Sequence, residues 1–300
     1  MIKPRHLISI AQLTKEDIEN ITNLAKEFKK NKRSNNLKER NVATIFFEES
    51  TRTRTSFELA AHNLGAYVIH LDVGKSSVSK GETIIDTINT LNAMDIDYFV
   101  IRHNQSGILN LVTPYVKGHI INAGDGCNEH PSQALLDYFT MIDNINDIKG
   151  KTISIVGDIL HSRVARSNIK LLNKFGAKVR LVGPRTLLPI HESAEFTCYD
   201  SLKDGIKDAD IVMMLRIQLE RMEKKFIPSL NDYKKLYQLN SNTIEYAHKD
   251  ALIMHPGPIN RGIEISDEMF DWPKKVVLKQ VENGIYVRQA IFSYLEGNNR

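Results

Sequence analysis

Segment 46–58 reads Phe-Phe-Glu-Glu-Ser-Thr-Arg-Thr-Arg-Thr-Ser-Phe-Glu, and it packs anion-binding chemistry into a few positions. Ser50, Thr51 and Thr53 offer hydroxyl donors, and Arg52 offers a planar cationic fork. The segment follows an apolar run and opens a helical pattern. A helix N-terminus adds unpaired backbone N–H groups and a partial positive charge. Together these suit phosphate. The bland alternative is that the hydroxyls cap the helix and the arginines form a solvated face.

Other chemistry-bearing residues recur at similar places. Arg102 closes an apolar run. In Gly124-Asp125-Gly126-Cys127-Asn128-Glu129-His130-Pro131-Ser132-Gln133, Pro131 suits a first helical turn. That puts His130 at the cap and lets His130 and Gln133 face one ligand. Cys127 with His130 is half a zinc site, but no second pair stands at zinc spacing. Segment 157–167 again follows a strand pattern and opens a helix. It holds Gly157 without the remaining glycines of a dinucleotide fingerprint, so Arg163 points to a carboxylate or phosphate instead. Arg216 and Gln218 alternate outward from a strand end and could grip a carboxylate, or begin an exposed helix. Around Gly257, Pro256 and Pro258 make a rigid turn after Met254-His255, able to present carbonyls to an amide and suited to a cis proline. The stretch Asp72 to Thr83 is small, polar and basic, as a lid or an ordinary surface loop would be. Its Gly74-Lys75-Ser76 imitates a Walker loop, but Ile69 stands where the first glycine is required.

The elements that must hold these residues form an alternating series. Strand patterns are read at Val42 to Phe47, Tyr67 to Leu71, Asp97 to Arg102 and His119 to Ala123. After a polar linker at Asp143 to Gly150, more follow at Thr152 to Val156, Lys178 to Val182, Ile211 to Leu215 and Ala251 to Met254. Helical patterns lie between them, including Val164 to Phe175. One helix carries Phe57, Ala60, Ala61 and Leu64 on one face and ends at Gly65. Further helices are read near Thr14 to Lys29, Ile108 to Tyr115 and Ile285 to Glu296. Alternation of this kind implies an α/β fold with two domains, each a parallel sheet flanked by helices, and the active site in the cleft between them. The boundaries implied are 1–145 and 146–285, with 286–300 a helix packing back on the first domain. In such sheets ligands bind beyond the carboxyl ends of strands, which is where the residues above fall.

Composition sets outer limits. The chain has 300 residues, long enough for two domains. Hydrophobic residues make up 42% and charged residues 25%, as in ordinary globular proteins. With 40 basic and 36 acidic residues the net charge of +4 is too mild to argue for nucleic acid. No apolar run approaches the roughly 20 residues of a membrane span. The start, Met1-Ile2-Lys3-Pro4-Arg5-His6, lacks a signal-peptide core, and two cysteines fit a reducing compartment. A cytoplasmic location is expected.

Read in order from about Ser50 to Glu264, these segments resemble the aspartate/ornithine carbamoyltransferase family. The resemblance rests on Ser-Thr-Arg-Thr-Arg at 50–54, on Lys80-Gly81-Glu82-Thr83 and on Arg102. It rests also on His-Pro-x-Gln at 130–133 and on His255-Pro256-Gly257-Pro258-Ile259-Asn260-Arg261-Gly262-Ile263-Glu264, which is similar to the aspartate branch. Arg216-x-Gln218-x-Glu220-Arg221 is similar to the aspartate branch. The Ser-Met-Gly and His-Cys-Leu-Pro motifs of ornithine enzymes do not occur. Glu49 and Ser132 depart from the commoner proline or alanine and threonine, outside the groups expected to touch substrate.

The resemblance implies transfer of the carbamoyl group of carbamoyl phosphate to L-aspartate, with no metal and no cofactor, in de novo pyrimidine biosynthesis. It implies that Ser50, Thr51, Arg52 and Thr53 hold the phosphate. Thr53, Arg102 and His130 would stabilise the carbonyl oxygen. Gln133 and the turn at Gly257 and Pro258 would orient the carbamoyl NH2. Lys80, Arg163, Arg216 and Gln218 would bind aspartate, and Arg54 would pair with a nearby acid. It further implies a homotrimer in which Ser76 and Lys80 reach the site of the neighbouring subunit. Regulatory or dihydroorotase chains are potential further partners; nucleic acid and membrane are not. Open alternatives are another amine acceptor such as ornithine, and a non-catalytic anion-binding protein that keeps the fold.

Overall fold

The computed structural model describes residues 6–71, 83–191, 193–217 and 229–297. It divides into two compact units, 1–139 with 282–300, and 140–281.

The first unit opens with helix α1 (Lys15–Lys30), started by a capping box. The Thr14 hydroxyl accepts from the Asp17 N–H, and the Asp17 carboxylate accepts from the Thr14 N–H. Then come β1 (Asn41–Phe46), α2 (Thr51–Asn63), β2 (Tyr67–Leu71), α3 (Ile84–Ala93), β3 (Tyr98–His103), α4 (Ile108–Val112) and β4 (His119–Asp125). The strands form one parallel sheet in the order β2-β1-β3-β4. Its central strands are apolar on both faces because helices cover both. Ala43, Ile45, Phe99, Ile101 and Ile120 pack with Ile88, Leu91, Leu109 and Val112. Burying each larger aliphatic contributes about 1.5–3 kcal/mol. The edge strand β2 differs: Tyr67 is 67% exposed and Ile69 43%.

Helix α5 (Pro131–Ile145) leads into the second unit, which holds β5 (Thr152–Val156), α6 (Arg163–Lys174), β6 (Lys178–Val182), β7 (Thr197–Tyr199), α7 (Leu202–Ile206), β8 (Ile211–Met214), α8 (Leu230–Tyr237) and β9 (Leu252–Met254). A second parallel sheet has the order β7-β6-β5-β8-β9. Val156, Val182, Val212, Met214 and Ile253 make its core with Tyr233, Tyr237 and Leu239. Helix α9 (Val277–Glu296) closes the chain. Its last turn is tied to the first unit: Glu296 accepts from Arg40 at 2.6 Å and from the Tyr98 hydroxyl at 2.6 Å.

The alternating reading holds, with three local corrections. Asp143–Ile145, read as linker, is the last turn of α5, because the apolar spacing of Leu135, Leu136, Phe139 and Met141 continues the helix into it. Helix α9 starts at Val277, eight residues before the Ile285 expected, since its first turns expose Leu278 and Val281 and so hide the amphipathic signal. The pattern near Ile108 to Tyr115 is an α-helix only to Val112 and then a 3-10 turn at Thr113–Tyr115, where Pro114 removes a donor.

Candidate active site

In each sheet the strand order reverses once. From β1 the chain steps to β2 on one side, then returns past β1 to lay β3 and β4 on the other. From β5 it steps to β6 and β7, then returns to lay β8 and β9. Beyond the carboxyl ends of the strands flanking such a reversal lies the binding crevice of open α/β sheets. The residues there are Ser50–Thr53 after β1 and Arg102 near the end of β3 in the first unit. In the second they are Arg163 after β5 and Arg216 after β8.

Phe46 pairs with Arg102 in the β1–β3 register, so the start of α2 and the Arg102 side chain share one sheet edge. Ser50 is the N-cap of α2, yet its side chain makes no capping hydrogen bond. The hydroxyls of Thr14, Thr83, Ser162, Ser201 and Ser229 do cap their helices. Capping therefore does not explain Ser50, and its hydroxyl adds to the anion-binding character of the helix end. Thr51 and Arg52 are exposed. Arg54 turns away: its Nε lies 3.8 Å from Glu58, and its guanidinium contacts His70 at 3.0 Å. Arg102 is aimed by Glu48, which accepts from its Nε at 3.2 Å.

His130 and Gln133 stand at the start of α5, 4% and 8% exposed. Asp125 ties the loop before them. Its carboxylate accepts from the N–H groups of Gly107 (2.7 Å) and Glu129 (3.1 Å) and from the amides of Asn122 and Asn128, both at 2.9 Å. Gln133 donates its amide to the fully buried Asp137 at 2.9 Å.

In the second unit Arg163 is the first residue of α6 and is 4% exposed; Ser162 caps that helix. Gly157 adopts φ +134°, and a side chain there would meet the Leu215 carbonyl at 3.0 Å. This glycine thus serves the close approach of β5 and β8 rather than a dinucleotide. Arg216 precedes Ile217, whose N–H donates to buried Glu264 at 2.9 Å. Glu264 also accepts from the Asn260 N–H and side-chain amide, each at 2.8 Å. Burial raises the Glu264 carboxyl above its usual value against the pull of these donors. The peptide bond between Gly257 and Pro258 is cis. Nδ1 of His255 accepts from the Gly257 N–H at 2.7 Å, which places the ring proton of the neutral imidazole on Nε2. The turn is held by main chain and ring together.

Ser76, Lys80 and Gln218 lie outside the described residues. Among the described residues, no group of three or more His, Cys, Asp or Glu is placed to hold a metal, and no helix is long and apolar enough to cross a membrane. Neither Cys127 nor Cys198 is in a disulfide among the described residues. Sequence reading assigned no role to Glu48, Asp125 and Glu264, which lie inside the motifs, and passed over Asp137. Each follows or precedes a recognised residue by at most seven positions, but an isolated carboxylate in sequence looks like any surface acid.

Two family models match the chain. Residues 5–143 match the aspartate/ornithine carbamoyltransferase carbamoyl-P binding domain, and residues 149–295 the Asp/Orn binding domain. A relative from Wolbachia sp. subsp. Drosophila simulans, named aspartate carbamoyltransferase catalytic subunit, is 50% identical over 98% of this chain and 99% of its own. One of the same name from Rhizobium rhizogenes is 49% identical over 97% of this chain and 93% of its own. Among solved structures, aspartate transcarbamoylase from Trypanosoma cruzi in complex with carbamoyl phosphate and aspartate superposes with a TM-score of 0.89. Its identity is 30%, covering 98% of this chain and 97% of that one. Ornithine carbamoyltransferase from Pyrococcus furiosus superposes with a TM-score of 0.87 at 28% identity, covering 98% and 97%. With both halves matched by the family's two domain models and relatives at half identity over nearly the whole length, the chain belongs to the aspartate/ornithine carbamoyltransferase family.

Proposed function

We infer that this chain transfers the carbamoyl group of carbamoyl phosphate to the amine of L-aspartate, giving N-carbamoyl-L-aspartate and phosphate. The observation that carries the reading is the placement of Ser50–Thr53 with Arg102, and of Arg163 with Arg216, at the reversal points of the two sheets. The first set suits a phosphoryl dianion. The second supplies two cations for a dicarboxylate acceptor, where ornithine would present a single carboxylate and an extra cation. The relatives at about half identity carry the aspartate name.

The roles follow from charge development. The amine attacks a planar carbonyl, and negative charge grows on its oxygen and then on the departing phosphate. Thr53, Arg102 and His130 donate to the carbonyl oxygen, where preorganised donors act most strongly. Ser50, Thr51, Arg52 and Thr53 hold the phosphate. Gln133 and the turn at Gly257 and Pro258 orient the carbamoyl NH2. Arg163, Arg216 and Gln218 fix aspartate, and Lys80 closes over it from the neighbouring subunit of a homotrimer. The exposed β2 edge, with Tyr67 and Ile69, and exposed Leu59 on α2 support self-association. The setting proposed is pyrimidine biosynthesis in the cytoplasm. Positioning and electrostatics supply the rate, and the leaving phosphate takes the amine proton.

Arg52→Ala tests the phosphate site. Phosphate release from carbamoyl phosphate and aspartate is expected to fall by about 10²–10³-fold or more. An unchanged rate contradicts the assignment.

A further inference from the structure

Helix α9 contains a glycine, Gly284, two turns from its start, although glycine weakens a helix interior. The space it leaves is used: a Cβ on Gly284 would stand 2.5 Å from the Arg288 guanidinium and 3.3 Å from Leu136. Arg288 is 4% exposed. It lies over the Phe57 ring, 4.8 Å from the centroid, and donates to the Ser56 hydroxyl at 2.9 Å, both on α2. Burial drives its guanidinium down to about 10, and attraction to Asp137 opposes this. Asp137 is itself fully buried and accepts the Gln133 amide NH2. A cation from the C-terminal helix thus touches α2 and acts electrostatically on Asp137 of α5, within one unit.

An ionised carboxylate only accepts hydrogen bonds, so it admits the NH2 end of Gln133 and not the carbonyl end. We propose that Asp137, with Arg288 as its counter-charge, is a positioning residue that locks the Gln133 amide with Oε1 turned to the ligand. The site thereby selects an acyl phosphate bearing an NH2 group over one bearing a methyl group. This rests on the carbamoyl phosphate reading above and adds the origin of its acyl-group selectivity. Without the lock the amide can flip, and its NH2 then faces the NH2 of the ligand.

The test compares carbamoyl phosphate as substrate with acetyl phosphate, which carries a methyl in place of NH2, as competitive inhibitor. The variants are Asp137→Asn and the double replacement Asp137→Leu with Arg288→Met. Replacing both buried charges by apolar groups avoids stranding one of them. Disturbance at the phosphate end weakens both ligands alike and cancels in the ratio. The ratio of kcat/KM for carbamoyl phosphate to the affinity for acetyl phosphate is expected to fall about 10- to 100-fold in the double variant, the effect of one buried hydrogen bond. A smaller fall in the same direction is expected in Asp137→Asn, which keeps an acceptor but also offers a donor. Should the double variant not fold, Asp137→Asn decides. An unchanged ratio in a folded variant, including equal loss of both ligands, overturns the lock. Absence of carbamoyl transfer in the unmodified chain would instead overturn the underlying reading.

Discussion

At the scale of single residues, the side chains proposed to meet ligand and those that hold them differ in kind. Arg52, Arg102, Arg163 and Arg216 announce themselves because several cations after strand ends have few purely structural uses. Glu48, Asp125, Asp137 and Glu264 do not, because what matters is their burial, which depends on strands far away in sequence. Glu264 illustrates the consequence. It gathers the Ile217 N–H and two Asn260 donors and so fixes the backbone beside Arg216. In Glu264→Gln one of those donors faces an NH2, at a cost of about 1–3 kcal/mol for the unmet group. Steady-state kinetics are expected to show KM for aspartate raised about tenfold, while KM for carbamoyl phosphate stays within about twofold. A variant with both constants unchanged would remove Glu264 from the acceptor site.

At the scale of elements, strands were legible because parallel strands covered on both faces are continuous apolar runs. The short β7 and the helices α3, α7 and α8 were not legible. β7 has three residues with little burial, and α7 has five, too few for a period to show. Helix α9 was legible only from its later turns. Its end is clamped by Glu296. Burial pushes that carboxyl up, but the hydrogen bonds from Arg40 and Tyr98 outweigh it and leave it below the usual carboxylate value. A depressed folded pKa means stability that is present above the unfolded value and lost as pH falls through the folded one. Glu296→Gln is therefore expected to unfold at lower urea than the parent near neutral pH. The gap closes as pH drops below the ordinary carboxylate range. A gap independent of pH would show that the charge on Glu296 does not matter.

At the scale of the whole molecule, two sheets of different strand number use one rule: place a cation where the strand order reverses. The proposed homotrimer belongs to this scale as well. On that proposal Tyr67→Asp, which puts a charge on the β2 edge, is expected to shift the sedimenting species from trimer to monomer with loss of activity. A trimer of full activity would place the interface elsewhere. The central claim concerns the acceptor, and the fold shared with both an aspartate and an ornithine enzyme leaves it to the second unit's cations. The most direct measurement is phosphate release from carbamoyl phosphate with aspartate and ornithine offered side by side. Turnover with aspartate at least about 10³-fold more efficient is the result expected of a site built to pair with a second carboxylate; preference for ornithine would contradict it.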